Sequence, residues 1–140
     1  MVPVITVAAG SNSTITLGNG NNDTVYSGGE SMITVGNGND TIYVGMGDTV
    51  TVGTGNNSFI FAQTTPGTIG QVTINDFNAT HDVIQIASAL GSWDTSFATL
   101  SPHISNVAGS AVITLDPSGD TITLVGVQAS ALHASDFHFV

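Results

Sequence analysis

Residues 10–61 consist of six tandem units, each a polar, glycine-rich turn followed by a short run in which apolar and polar residues alternate. Glycine adopts the backbone conformations that tight corners demand, and Thr, Val, Ile and Tyr suit pleated strands. A flexible linker has no reason to keep such alternation in phase, so the pattern predicts a repeating structure. The units are GSNSTITL (10–17), GNGNNDTVYS (18–27), GGESMITV (28–35), GNGNDTIYV (36–44), GMGDTVTV (45–52) and GTGNNSFIF (53–61).

The units come in pairs, a short one followed by a long one, and each pair spans 17 or 18 residues. Two turns and two strands per coil predict a right-handed solenoid of stacked parallel strands. The alternation then directs one set of apolar side chains into a thin core between two sheets. The residues predicted to point inward are Ile15, Leu17, Val25, Ile33, Val35, Ile42, Val44, Val50, Val52, Phe59 and Phe61.

The charge balance excludes several classes of partner. The 140 residues include ten acidic side chains and four His but neither Lys nor Arg, which gives a formal net charge of −10. Such a chain repels itself and is unsuited to binding nucleic acid or an anionic membrane. It contains no Cys, and no apolar run approaches the roughly 20 residues of a membrane-spanning helix. If the carboxylates cluster on folding, a bound metal cation is the obvious source of neutralising charge.

The long units carry the residues that need such a cation. Their turns, residues 18–23, 36–40 and 53–57, should lie along one edge of the solenoid, spaced by less than about 5 Å. Stacked carboxylate, amide and carbonyl oxygens at that density form the hard-oxygen environment that Ca²⁺ prefers. The sequence therefore predicts Ca²⁺ as the cofactor, bound along this long edge.

In these turns the chain resembles the RTX repeat proteins, whose motif is GGxGxDx, an apolar residue and any residue. The resemblance implies a parallel β-roll in which Ca²⁺ lies between successive turns of one edge. The Asp and the carbonyls of Gly-x-Gly would serve as ligands. The Asp position falls on Asp23 and Asp40, and on Asn57 in the last unit. The carbonyl-donating glycines fall on Gly18, Gly20, Gly36, Gly38, Gly53 and Gly55.

The chain departs from this motif in ways that bear on the sites. The first Gly is mostly replaced by a strand residue, and Asn22 is an extra residue of the second unit that joins the candidate ligands. Asn57 supplies a neutral oxygen, which should weaken its site. We expect one site between the turns bearing Asp23 and Asp40, and a second between those bearing Asp40 and Asn57.

Three further Asp residues are candidate ligands outside the long edge. The turns of the short units are one residue shorter, and Asp48 is there the candidate for one weak site. Residues 71–88 predict a strand, a turn and a strand, and they resemble the I-x-D-F…D-x-I-x-L segment that follows the roll in serralysin-type RTX proteins. That resemblance implies a further calcium site at Asp76 and Asp82. A solvated turn in which Asp82 caps the backbone is an equal alternative.

The following sequence predicts elements that cap the roll. Ser92 is a candidate N-cap of a short helix that carries Trp93, Phe97 and Leu100 as core residues. Residues 110–127 predict a β-hairpin around the turn Asp-Pro-Ser-Gly-Asp. A solenoid needs such a cap because its last coil would otherwise expose an apolar face and a strand edge.

The predicted fold class is all-β. A right-handed parallel β-roll with calcium in its turns occupies residues 1–61, and a β-rich capping region with one or two short helices occupies residues 62–140. The final residues, an acidic one followed by apolar ones, resemble the ending of serralysin-like proteins that leave bacteria through type I secretion. The resemblance implies an extracellular location and a secretion signal at Asp136, Phe137, Phe139 and Val140.

These observations favour a non-catalytic module. No HExxH and no G-x-S-x-G occurs, so we expect no enzyme within this chain. We expect a module that folds on Ca²⁺ outside the cell and supports secretion of a larger protein, with calcium and the type I secretion apparatus as partners. The alternative is a module that binds a polysaccharide such as alginate, or a surface such as ice, through the outward Thr16, Thr34 and Thr51. A structural unit of a surface layer is a third possibility.

Overall fold

Short strands that alternate between two sheets build the fold. The computed structural model describes residues 3–63 and 67–140. Within them the chain forms thirteen strands, one α-helix of a single turn and three 3₁₀ turns. The strands are β1 (Thr6–Ala8), β2 (Thr14–Thr16), β3 (Thr24–Tyr26), β4 (Met32–Thr34), β5 (Thr41–Tyr43), β6 (Thr49–Thr51), β7 (Ser58–Phe61), β8 (Gln71–Asn75), β9 (Val83–Ile86), β10 (Ile104–Val107), β11 (Ser110–Thr114), β12 (Thr121–Leu124) and β13 (Phe137–Phe139).

Successive strands of the repeats lie in opposite sheets. One sheet has the order β1-β3-β5-β7-β9-β13, and all of its neighbouring strands are parallel. The other has the order β2-β4-β6-β8-β12-β11-β10, parallel up to β12 and antiparallel from there. Val25 pairs with Ile42, and Ile15 pairs with Ile33, so one coil is 17 or 18 residues long. The predicted parallel β-roll is confirmed.

The two sheets continue beyond Phe61. A longer coil leads to β8 and β9, which pair in parallel with β6 and β7. Equivalent positions are there 24 or 25 residues apart. The strand, turn and strand predicted over residues 71–88 are confirmed, and the two strands belong to opposite sheets. The segment that leads from β7 to β8 ends where Gln71 begins β8, and its residues 64–66 lie outside the described residues.

The core is the thin apolar layer that the alternation predicts. Every residue predicted to point inward is buried except Leu17, which is partly buried against the core at the first coil. Val25, Ile42, Phe59 and Ile84 follow one another in adjacent strands of one sheet and are fully buried. Burial of each such side chain stabilises the fold by roughly 1.5–3 kcal/mol.

The C-terminal region adds strands to both sheets and so covers the last coil. The predicted hairpin is confirmed, since β11 and β12 are antiparallel and Thr114 pairs with Thr121. β12 lies parallel to β8, and β13 lies parallel to β9. The strand edges of the last coil are therefore paired, which protects them from pairing with another chain.

The short helix begins later than the sequence indicates. It spans Phe97–Leu100, and its N-cap is Ser96, whose Oγ accepts a hydrogen bond from the backbone N–H of Thr99 at 3.2 Å. The prediction of Ser92 as N-cap is wrong. The backbone N–H of Ser92 donates instead to Leu115 O at 2.9 Å, which holds this segment as a loop against the hairpin.

The aromatic residues of this region have the packing role that was predicted for them, to different degrees. Leu100 is fully buried, whereas Phe97 is partly buried against the core. Trp93 is half-buried and stacks on His103, with ring centroids 3.6 Å apart. In the described part of the chain, no helix has the length and apolar character that crossing a membrane requires.

A substitution at Gly55 tests how closely successive turns approach one another. A Cβ at this position would lie 1.9 Å from Gly38 O, and the φ angle of Gly55 is +127°. We expect Gly55→Ala to lower the free energy of unfolding by at least about 2 kcal/mol, because the coil above has to move away. Chemical denaturation measures this change.

Gly18→Ala is the matched control. A Cβ at Gly18 meets nothing within 4 Å. This variant should unfold at nearly the wild-type denaturant concentration. Equal stability of the two variants would contradict the close stacking of the turns.

Candidate metal centre

The long edge carries a column of side chains that link one coil to the next. Its members are Asp23, Asp40, Asn57 and Asp82, each of which directly precedes a strand of the sheet that runs from β1 to β13 and is almost completely buried. Oδ1 of each member accepts a hydrogen bond from the backbone N–H of the equivalent residue one coil earlier. The bonds are Ile5 N to Asp23 Oδ1 (2.8 Å), Asp23 N to Asp40 Oδ1 (3.0 Å), Asp40 N to Asn57 Oδ1 (3.1 Å) and Asn57 N to Asp82 Oδ1 (2.8 Å). The structure therefore brings the predicted Asp23, Asp40 and Asn57 into one register.

The second carboxylate oxygen distinguishes the members of this column. Oδ2 of Asp23 and Oδ2 of Asp40 are both buried, and neither has a hydrogen-bond partner among the described residues. Asn57 uses its amide nitrogen to donate to Gly53 O at 3.3 Å, and Oδ2 of Asp82 accepts from Asn78 N at 2.9 Å. A buried ionised oxygen without a partner destabilises the folded state. Within the column, the carboxylates that need a compensating positive charge are therefore those of Asp23 and Asp40, in the first two coils.

Electrostatics point to the same pair. Burial raises the pKa of Asp40, and the neighbouring charge of Asp23 raises it further, while a hydrogen bond from the Asp23 backbone acts against both. The chain has no Lys or Arg to compensate these carboxylates. The compensating charge must come from bound protons or from a dissolved cation.

Stacked glycines keep space beside the orphaned oxygens. A Cβ built on Gly20 would lie 3.0 Å from Oδ2 of Asp23, and one built on Gly38 would lie 1.7 Å from Gly20 O. Likewise, a Cβ built on Gly36 would lie 2.7 Å from Gly18 O, and one built on Gly53 would lie 2.6 Å from Gly36 O. The turns thus bring carbonyl oxygens and unpaired carboxylate oxygens to one edge and keep side chains out.

This donor set fits Ca²⁺. The ion takes six to eight oxygens, including carboxylates and backbone carbonyls, in flexible geometry. Among the described residues no three His, Asp or Glu side chains lie together in a metal-binding group, so backbone oxygens would have to complete the shell. Asn22 adds no buried side chain to this set: it is exposed with φ +66°, and its backbone N–H donates to Asn39 O at 3.1 Å.

A second ladder on the long edge was not predicted. Asn19 Oδ1 accepts from Asn37 N, and Asn37 Oδ1 accepts from Thr54 N, both at 2.9 Å. Asn39 Oδ1 accepts from Asn56 N at 2.8 Å. The signal in the sequence was the recurrence of Asn next to the glycines of the long turns: Asn19 and Asn37 lie between the two glycines, and Asn39 follows the second. These amides join the turns to one another without charge.

On the short edge, hydrogen bonds from the protein partner the buried carboxylate, and no oxygen is left for a cation. Oδ1 of Asp48 accepts from Ser31 N at 2.9 Å, and its Oδ2 accepts from Gly45 N at 2.7 Å. Ser31 in turn accepts from Ser13 N at 3.1 Å through Oγ. Both oxygens of Asp48 are therefore partnered, and its predicted role as a weak metal ligand finds no orphaned oxygen here.

Asp76 and Asp82 occupy different environments. Asp82 is the fourth member of the buried column, and both of its oxygens accept backbone N–H groups. It caps the backbone as the alternative expects, but it is buried and not solvated. Asp76 is exposed, with φ +63°. It lines a cleft of about 720 Å³ at the end of the long edge, together with Asn56, Asn78 and His81.

The terminal segment is part of the folded sheet. Phe137 is buried, Phe139 is partly buried, and both lie in β13. Asp136 is buried and accepts from His133 N at 2.7 Å. Val140 is exposed, yet its backbone N–H donates to Ile86 O at 3.0 Å.

The architecture and its edge define a parallel β-roll with stacked, oxygen-rich turns. Comparison with protein-family models and with curated proteins finds no match. Among solved structures, the chain is similar to the AlgE6R3 subunit of the mannuronan C5-epimerase from Azotobacter vinelandii. The TM-score is 0.65 and the sequence identity 24%, over 92% of this chain and 80% of that one. At this identity the likeness shows the fold, and the closer resemblance to serralysin-type proteins stays a prediction.

The raised pKa of Asp40 predicts the direction in which the stability of the fold changes with pH. In a metal chelator, the folded state holds the proton of Asp40 more tightly than the unfolded state does. The free energy of unfolding should therefore rise as the pH falls from neutrality through the raised folded-state pKa, and this stabilisation is lost as the pH rises through that pKa. The folded fraction in EDTA, read from the far-UV circular dichroism signal at a series of pH values, measures the effect.

Saturating Ca²⁺ should reverse this trend, because protons then compete with the cation for the same oxygens. Asp40→Asn is the control for attribution, since it removes one titrating group and should make the dependence in EDTA shallower, while burial still raises the pKa of Asp82 and of Asp94. A folded fraction in EDTA that falls on acidification equally in both proteins would contradict the account.

Proposed function

We propose that this chain is a calcium-binding β-roll module that folds when it meets Ca²⁺ outside the cell. The observation that carries the proposal is the buried pair of unpartnered oxygens, Oδ2 of Asp23 and Oδ2 of Asp40, in a chain without Lys or Arg. Extracellular modules are tuned to bind Ca²⁺ at the concentrations found outside cells.

The proposed first site lies between the first two long turns. Ca²⁺ would supply there the positive charge that the protein lacks. Asp23 and Asp40 keep their Oδ1 atoms for coil-to-coil hydrogen bonds and leave Oδ2 for the cation. The backbone carbonyls that would complete the shell are those of Gly18, Gly20, Gly36 and Gly38.

The proposed second site, between Asp40 and Asn57, is weaker. Asn57 is neutral, its Oδ1 accepts from Asp40 N, and its amide nitrogen donates to Gly53 O. The carbonyls of the glycines in its two turns and the shared carboxylate of Asp40 remain for a cation, so this site has one charged ligand where the first has two. Affinity should fall with the number of charged ligands.

Calcium-gated folding also supports the proposed role in type I secretion of a larger bacterial protein. In the folded chain, Phe137 is buried and β13 is paired with β9, so the predicted signal at residues 136–140 is not free to be read. A chain that stays unfolded where Ca²⁺ is scarce keeps this segment accessible. Outside the cell, metal binding would then become folding free energy. The likeness to a subunit of an epimerase suits a non-catalytic module.

Far-UV circular dichroism during a calcium titration tests the proposal. In EDTA we expect a largely unfolded spectrum, and a cooperative rise of the β signal on adding Ca²⁺ but not on adding Mg²⁺, which demands tighter octahedral geometry. A folded β spectrum in EDTA would contradict both the calcium gate and a secretion signal that is exposed before export.

Asp40→Asn separates the charge from the hydrogen bond. The Asn oxygen can still accept from Asp23 N, as Asn57 accepts from Asp40 N in the same column. In EDTA the variant should be more folded than wild type, because a buried charge is gone. Its Ca²⁺ midpoint should rise by at least about tenfold, because one charged ligand is lost.

Glu30→Gln is the matched control for the loss of one charge. Glu30 is exposed and lies on the short edge, away from the column. Its calcium midpoint should stay near that of wild type. A midpoint of Asp40→Asn equal to that of Glu30→Gln would sink the assignment of the site.

A second candidate function, polysaccharide binding, is favoured by the cleft at the end of the long edge. Its lining is rich in amides, among them Asn39, Asn56 and Asn78, and includes His81. Amide groups and imidazole provide the hydrogen bonds that hold sugars, and about 720 Å³ is the size of a small-molecule site. The net charge of −10 opposes an acidic polymer unless Ca²⁺ bridges the two.

Calorimetric titration with alginate oligosaccharides, in Ca²⁺ and in its absence, tests this candidate. Binding should require Ca²⁺, and His81→Ala should weaken it by about fivefold, the loss of one hydrogen bond. His138→Ala, an exposed His on β13, is the control. Absence of binding, or equal binding by both variants, would rule out the cleft.

A further inference from the structure

Two buried carboxylates lie on neighbouring segments of the C-terminal capping region, outside the repeats. Asp94 ends a loop, residues 91–94, that packs on the hairpin turn bearing Asp116. Ser92 N and Trp93 N both donate to Leu115 O, at 2.9 and 3.3 Å, which fixes the loop beside the turn. Asp94 and Asp116 are 0% and 1% exposed.

Each carboxylate has one bonded and one free oxygen. Oδ2 of Asp94 accepts from Gly91 N at 2.8 Å, and Oδ1 of Asp116 accepts from Ser118 N at 2.7 Å and from the Ser118 hydroxyl. Oδ1 of Asp94 and Oδ2 of Asp116 are buried without a hydrogen-bond partner in the part of the chain that the structure describes. This is the arrangement found for Asp23 and Asp40.

The two groups sense each other's charge. Burial raises the pKa of Asp94, and the charge of Asp116 raises it further against a hydrogen bond from Gly91. Burial also acts to raise the pKa of Asp116, but hydrogen bonds, led by those from Ser118, lower it on balance. Across the described residues no His comes within ion-pair distance of either carboxylate.

We infer that Asp94 and Asp116 form a second kind of Ca²⁺ site, which ties the loop 91–94 to the hairpin turn. Oδ1 of Asp94 and Oδ2 of Asp116 are the charged ligands, and water and backbone oxygens complete the shell of this hard cation. The site goes beyond the proposed function, because it makes the order of the cap, and not only of the repeats, depend on Ca²⁺.

Terbium luminescence tests this site selectively. Tb³⁺ replaces Ca²⁺ among hard oxygen ligands, and it emits when a nearby indole transfers energy to it. Trp93 is the only Trp of the chain and adjoins Asp94. Excitation at the red edge of the tryptophan band avoids Tyr26 and Tyr43. We expect sensitised emission that Ca²⁺ displaces and Mg²⁺ does not.

Two variants locate the emission. Asp94→Asn and Asp116→Asn should each weaken Tb³⁺ binding, measured by this emission, by at least about tenfold. Glu30→Gln and Asp40→Asn should retain the emission, which separates this site from the one proposed in the repeats. Far-UV circular dichroism verifies that each variant is folded at the Ca²⁺ concentration used.

The outcomes are distinct. Absence of Trp-sensitised emission from the wild-type protein overturns the site whatever the variants do. Emission that survives both Asp94→Asn and Asp116→Asn also overturns it. Absence of emission together with a larger folded fraction of Asp94→Asn in EDTA would identify a shared proton between the two carboxylates instead. Failure of this site leaves the calcium titration of the repeats unaffected.

Discussion

Each coil of the roll is tied to the one before it by a side-chain oxygen that accepts a backbone N–H from the equivalent position, 17 residues earlier in the repeats. This bond fixes the register of the strands, and a slip by one residue would turn the apolar side chains outward. The same side chains carry buried negative charge into the column, and the chain has no Lys or Arg to oppose it. How that charge is compensated decides whether the coils stack.

The need for compensation is not uniform along the fold. Asp23 and Asp40 leave two buried oxygens unpartnered, whereas Asn57 is neutral and Asp82 is bonded at both oxygens. Asp48, on the opposite edge, is likewise fully bonded. Within the roll, the demand for a cation is therefore concentrated in the first coils, and hydrogen bonds alone serve the later coil and the short edge.

Local periodicity explains what the sequence could predict. The repeat length placed Asp23 and Asp40 in one register and assigned the inward residues correctly, because both depend only on a period of two within strands and of 17 or 18 between coils. The sequence did not predict Asp82 as a member of the column, because the last coil is lengthened to 25 residues. That Asp94 and Asp116 lie on neighbouring segments depends on how a loop packs on a hairpin. No repeat in the sequence predicts that arrangement.

The most direct test of the account is the location of calcium in a crystal grown with Ca²⁺, from anomalous diffraction. The account predicts an anomalous peak between the first two long turns, within coordination distance of Oδ2 of Asp23 and Oδ2 of Asp40, about 2.3–2.6 Å. A well-ordered β-roll with no anomalous density at this position would contradict the claim that a cation compensates the column.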